Sequence, residues 1–98
     1  MIFKEQFTVH VQNRKGHGYT DGYDFLDYWE EHSGQVAKKC SRIGCNNKAD
    51  CGGHVYKYGT GSHPHYYIVP LCNSCNQKEF PNGFDVYADN LVDAPTQD

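Results

Sequence analysis

No stretch of this chain is long and apolar enough to span a membrane. Its first residues, Met1-Ile2-Phe3-Lys4-Glu5, lack the apolar core of a secretion signal. Cysteine occurs five times, whereas an extracellular disulfide scaffold ordinarily has an even set behind a signal. These absences predict a cytoplasmic protein with reduced thiols and no membrane partner. There are no internal repeats, and no linker is long enough to separate two domains, so residues 1–98 read as one domain. No thioredoxin-like βαβ pattern precedes the cysteines, which leaves a redox role as the weakest of the functional classes. The glycine-bearing loop Asn13-Arg14-Lys15-Gly16-His17-Gly18 has no recognised phosphate-loop pattern and reads as a solvated turn.

Four of the five cysteines fall in two close pairs, Cys40-x4-Cys45 and Cys72-x2-Cys75. Two short thiolate pairs brought together by a fold make a tetrahedral site for a borderline-soft cation, structural Zn2+ first, with disulfides or free thiols as the alternative. A domain this small buries a limited core, rich in tyrosine and phenylalanine, and gains from such a staple. Charge is segregated around the pairs. Residues 32–78 carry six basic groups against Asp50 alone, whereas residues 79–98 carry five acidic groups and no basic one. The basic segment (Lys38, Lys39, Arg42, Lys48, Lys57) reads either as electrostatic support for the thiolates or as a surface that meets DNA phosphates.

Alternation of Phe3, Phe7, Val9 and Val11 predicts a strand over about residues 3–12. Thr20 or Asp21 can cap a helix to about His32, stopped by Gly34, with Phe25, Leu26, Tyr28 and Trp29 on its apolar face. Residues 49–58 and Tyr66-Tyr67-Ile68-Val69 form a hairpin across the loop 59–64. A short helix starts near Asn73-Ser74 and ends before Pro81. Phe84, Val86 and Ala88 mark one face of a last strand, and residues 93–98 read as a frayed tail. The fold class is α+β: a small zinc-stapled treble-clef domain with an N-terminal strand and helix. Residues 1–36 form that strand and helix, 40–80 the zinc-binding segment, and 81–98 a C-terminal strand and acidic tail.

The segments Ala49-Asp50-Cys51-Gly52-Gly53-His54-Val55 and Tyr67-Ile68-Val69-Pro70-Leu71-Cys72-Asn73-Ser74-Cys75-Asn76 resemble the HNH nuclease superfamily over roughly residues 40–80. The resemblance implies a ββα-metal hairpin and helix, a structural zinc on the two cysteine pairs, and catalytic roles for His54 as general base and Asn76 as ligand to Mg2+ or another divalent cation. The signature is degenerate: Gly53 stands where the family has a metal-binding Asp or His, and Tyr67 where it has its middle Asn. Asn76 alone anchors a reluctantly dehydrated cation poorly, so a second ligand would have to come from Asp50, His17, His63 or His65.

Other readings compete at the same positions. His54 can be a hydrogen-bonded hairpin histidine, or Cys51 and His54, a C-x2-H pair, can replace Cys40 and Cys45 as zinc ligands. Otherwise Cys51 is a small buried hydrophobe. Gly52-Gly53 allows another element to approach the backbone closely. The expected function is that of a small zinc-binding, HNH-like accessory module that binds nucleic acid or protein. The alternative is a metal-dependent DNA endonuclease with His54 as its base.

Overall fold

A computed structural model describes residues 7–13, 25–59, 64–78 and 80–95. Strand β1 (Thr8–Asn13) is followed by helix α1 (Phe25–Ser33), the hairpin β2 (Cys51–Lys57) and β3 (Tyr66–Leu71), helix α2 (Asn73–Gln77), and strands β4 (Phe84–Tyr87) and β5 (Val92–Asp93). The strands form one antiparallel sheet in the order β4-β1-β2-β3-β5. The domain is therefore α+β. No helix among the described residues is long and apolar enough to cross a membrane.

The hairpin and α2 lie where the sequence predicts them. Helix α1 ends as expected, with the Gly34 N–H on the Glu30 carbonyl. The candidate caps Thr20 and Asp21, and the loop at residues 14–18, lie outside the described residues. Two expectations change at the C-terminus. Ala88 opens a 3-10 turn, Ala88–Asn90, instead of extending β4. The supposed frayed tail begins as β5, which pairs Val92 with Ile68 and Asp93 with Tyr67, and the buried Ala94 donates to the Tyr66 carbonyl. A two-residue strand has no periodicity to read, and only its partner strand defines it.

The order of the strands places β4 and β5 at opposite edges, yet only residues 88–91 connect them. A flat five-stranded sheet would hold its edges about 19 Å apart. A connection of four residues containing a 3-10 turn, rising about 2 Å per residue, spans roughly half of that. The sheet is therefore strongly curled. The segment Cys40–Cys45 lies across the seam: the Ser41 N–H bonds the Pro70 carbonyl of β3, and the Ile43 N–H bonds the Asp85 carbonyl of β4.

Strand alternation sorts the side chains onto two faces. Val11, Val55, Val69, Leu71, Phe84 and Val86 share one face and cluster with Cys40, Cys45, Cys72 and Cys75, so thiols make up four of the ten buried residues in the larger core cluster. His54 and Ile68 point to the other face. There α1 packs, with Trp29 buried beside Ile68 and Ala94 and the Phe25 ring edge-on to His54. Gly52 permits this approach, because a Cβ there would lie 2.5 Å from the Phe25 backbone. Of the close approaches allowed by the two glycines, that of a helix is the one observed at Gly52.

Candidate metal centre

Each cysteine pair is positioned by a tight local turn. In the first, the Cys45 N–H returns to the Arg42 carbonyl at 3.0 Å, and Gly44 takes the left-handed conformation (φ 93°) that a side chain would oppose. A bridge between Lys39 and Lys48 closes the base of this loop, with the Cys40 N–H on the Asn47 carbonyl. In the second pair, Cys72 is the N-cap of α2 and its sulfur accepts the Cys75 N–H at 3.4 Å. Asp50, a candidate catalytic ligand in the sequence, instead accepts the Asn73 N–H at 3.0 Å and helps close the start of α2.

The four Sγ atoms lie within 4.8 Å of one another, all in buried residues. The Cys45–Cys72 and Cys45–Cys75 separations are 3.9 and 3.8 Å. Sulfurs bound at 2.3 Å around a tetrahedral ion are about 3.8 Å apart, whereas a disulfide would bring two of them to about 2.05 Å. All five cysteines are free of disulfides. Cys40, Cys45, Cys72 and Cys75 are thus arranged to hold a metal ion.

Donors aimed at the sulfurs suit a negatively charged cluster. Arg42 Nε donates to Cys75 Sγ at 3.2 Å, and Asn47 Nδ2 to Cys72 Sγ at 3.6 Å. The Arg42 guanidinium lies 5.5 Å from the centre of the Phe80 ring, which supports it from the side. As free thiols, Cys40, Cys72 and Cys75 differ. Burial pushes Cys40 up to about 12 despite the backbone N–H groups of Cys72 and Arg42. Burial also opposes ionisation of Cys72, but hydrogen bonds from the Cys75 N–H, the Asn47 amide and the Cys75 and Cys40 thiols together bring that thiol down to about 7. At the start of α2 the favoured thiol is the capping Cys72, whereas burial raises Cys75.

Compared with protein-family models, curated proteins and solved structures, the chain matches none.

The geometry of the site does not bring the candidate catalytic pair together. A Cβ on Gly53 would meet Asn76 Oδ1 at 2.8 Å, so the Asn76 amide lies over the face toward which Gly53 points. His54 is the next residue along the strand and points through to the opposite face, against Phe25. The Cys51/His54 alternative is not assembled either, because Cys51 lies outside the tetrad and its thiol donates to the Leu71 carbonyl at 3.4 Å. His65 is hydrogen-bonded to Asp93 at 3.0 Å, while His17 and His63 lie outside the described residues.

The basic residues also separate. Lys38, Lys39 and Lys48 are exposed around the Lys39–Lys48 bridge. Arg42 is turned to the cysteines. Lys57 lies at the far end of β2, about 20 Å of strand away from Cys51, with its ammonium 5.8 Å from the Tyr67 ring centre. One contiguous phosphate-binding face of all five is not formed.

Proposed function

We propose that Cys40, Cys45, Cys72 and Cys75 hold a structural zinc ion, and that the chain is a zinc-stapled, treble-clef module of HNH-like build that acts by binding rather than catalysis. The observation that carries this reading is the gathering of four buried sulfurs within 4.8 Å of one another, with two separations near the 3.8 Å of tetrahedral thiolates. The loop, hairpin and helix that hold them follow one another in the order a treble clef requires. All-sulfur ligation suits zinc over harder cations, and a closed set of four leaves no open position for substrate, which is the arrangement of a structural site. The zinc would supply folding energy and a fixed local geometry. The tetrathiolate carries a formal −2 that Arg42 offsets in part.

Binding is favoured over DNA cleavage because a ββα-metal nuclease needs its base and its divalent-cation ligand around one phosphate. His54 projects from one face of the sheet toward Phe25, whereas Asn76, on α2, lies over the opposite face beside Gly53. Division of the basic residues makes an extended DNA surface less suited to this chain than a protein partner.

Elemental analysis of the purified chain tests the staple, with one zinc per chain expected. Cobalt substitution should give the thiolate charge-transfer and tetrahedral ligand-field bands of an S4 site. A metal-free protein that is nevertheless folded would refute the reading.

A further inference from the structure

A cleft of about 440 Å³ lies on the outer side of the cysteine loop. Its walls are the 35–39 segment that leads from α1 to Cys40, the Cys40–Cys45 loop itself, and the end of β4, with Trp29 among its lining residues. Five large apolar side chains are exposed among the described residues, and three of them, Val36 (71%), Ile43 (37%) and Tyr87 (37%), line this one cleft. Isolated exposed hydrophobes are ordinary on any protein, but a concentration in one concavity marks a binding surface.

The walls are pre-formed. Trp29 Nε1 donates to the Asn90 carbonyl at 2.8 Å, and the Ala37 N–H is held by Glu30 Oε2 at 2.8 Å. The Ile43 N–H is fixed on the Asp85 carbonyl at 2.9 Å. A ligand would meet a site that needs little ordering, which favours affinity.

Charge and backbone direction narrow the occupant. Lys38, Lys39 and Arg42 line the cleft and no Asp or Glu does, although the chain as a whole has net charge −3. Arg42 is engaged with Cys75, which leaves the two exposed lysines as the outward cations. The Ala88 N–H donates to the Phe7 carbonyl, so by the alternation of an antiparallel ladder Asp85 and Tyr87 turn their backbone N–H and C=O away from β1. Ile43 already bonds the Asp85 carbonyl, and the Tyr87 carbonyl opens the 3-10 turn Ala88–Asn90, so on this edge Tyr87 turns its backbone N–H outward beside the cleft.

We propose that this cleft docks an acidic segment of a partner protein. One bulky aliphatic or aromatic side chain seats between Val36, Ile43 and Tyr87, and flanking carboxylates meet Lys38 and Lys39. Single-stranded nucleic acid fits less well, because bases need flat aromatic platforms and two of these three exposed walls are aliphatic. The proposal rests on the zinc reading, since the cysteine loop is one wall.

The test selects a displayed random-peptide library on the zinc-loaded full chain, then measures the labelled winning peptide by fluorescence anisotropy against Val36→Glu and the double variant Lys38→Glu/Lys39→Glu. Zinc content is assayed for every protein, so failure of the staple is seen separately from failure of the cleft. Winners should carry an apolar residue flanked by Asp or Glu. Each zinc-replete variant should bind at least about tenfold more weakly, with the lysine pair also removing most of the salt dependence. An empty selection, winners without that pattern, or unchanged affinity for zinc-replete Val36→Glu would overturn the proposal. A labelled oligothymidylate that binds more tightly than the peptide and is lost in the same variants would overturn it in favour of nucleic acid.

Discussion

Stripping the metal should unfold the whole domain, not merely loosen one loop. The four thiols are four of the ten buried residues of the larger core cluster, and the loop between Cys40 and Cys45 ties β3 to β4 across the seam of the sheet. A domain of this length has a typical total stability of about 5–15 kcal/mol. A thiolate-bound structural zinc supplies apparent folding free energy of about 10–16 kcal/mol at neutral pH. The second range covers most or all of the first, so the chelated chain retains little or no net stability. Near-ultraviolet circular dichroism of the buried Trp29 should collapse as a strong chelator is titrated in, and the thermal transition should disappear. For a domain near 100 residues 1 kcal/mol corresponds to about 4–8 °C in Tm, so a partial effect would be resolved easily. Cys51→Ser, outside the tetrad, should keep its zinc and its transition. If the chelated protein, shown metal-free by elemental analysis, melts within about 5 °C of the loaded form, the reasoning fails.

Arg42→Ala removes the donor to Cys75 and should weaken zinc affinity about 10–100-fold in chelator competition while leaving one metal per chain at saturation. Gly52→Ala places a methyl 2.5 Å from the backbone of Phe25 and should destabilise by about 1–3 kcal/mol in urea unfolding, since a helix backbone yields less readily than a side chain. His10 meets two acceptors, Asp85 Oδ1 at 2.7 Å and the Asn82 carbonyl, and chiefly the Asp85 hydrogen bond raises its pKa above the ordinary 6.5. A raised folded-state pKa adds stability that is complete below 6.5 and is lost as the pH climbs through the raised value. Asp85→Asn should therefore lower Tm at about pH 5.5 and converge on wild type near pH 9, and a constant difference across that range would count against the pair. Neither wild type nor His54→Ala should nick plasmid DNA with Mg2+, whereas the substitution should lower stability by about 1–3 kcal/mol through lost packing on Phe25.

The legible parts of this chain were those with local signatures. The cysteine spacings marked the tetrad, and the β-branched and aromatic run Tyr66–Val69 marked a strand that the structure places in β3. Gly34 marked the end of α1. Less legible was everything that depends on a distant partner. Val92–Asp93 carries no strand pattern of its own and becomes one by pairing with β3. The cleft has no signature in the sequence, because nothing local brings Val36, Ile43 and Tyr87 onto one surface. In the sequence Arg42 is one of several cations, and its contacts with Cys75 and Phe80 exist only in the folded loop.

Residue types and their spacing along the chain fix the thiol ligands and the order of elements: two thiol pairs, a hairpin between them, and a helix started by the second pair. These follow from residue type and short spacing, which local sterics and hydrogen bonding translate directly into turns and caps. Tertiary structure alone decided which side chains converge. A strand sends neighbouring residues to opposite faces, so Gly53 faces Asn76 while His54 faces Phe25, and a motif that looks continuous in one dimension is divided by the sheet. The curl of that sheet likewise draws β4, the cysteine loop and the approach from α1 around one cleft, an outcome set by long-range pairing and packing.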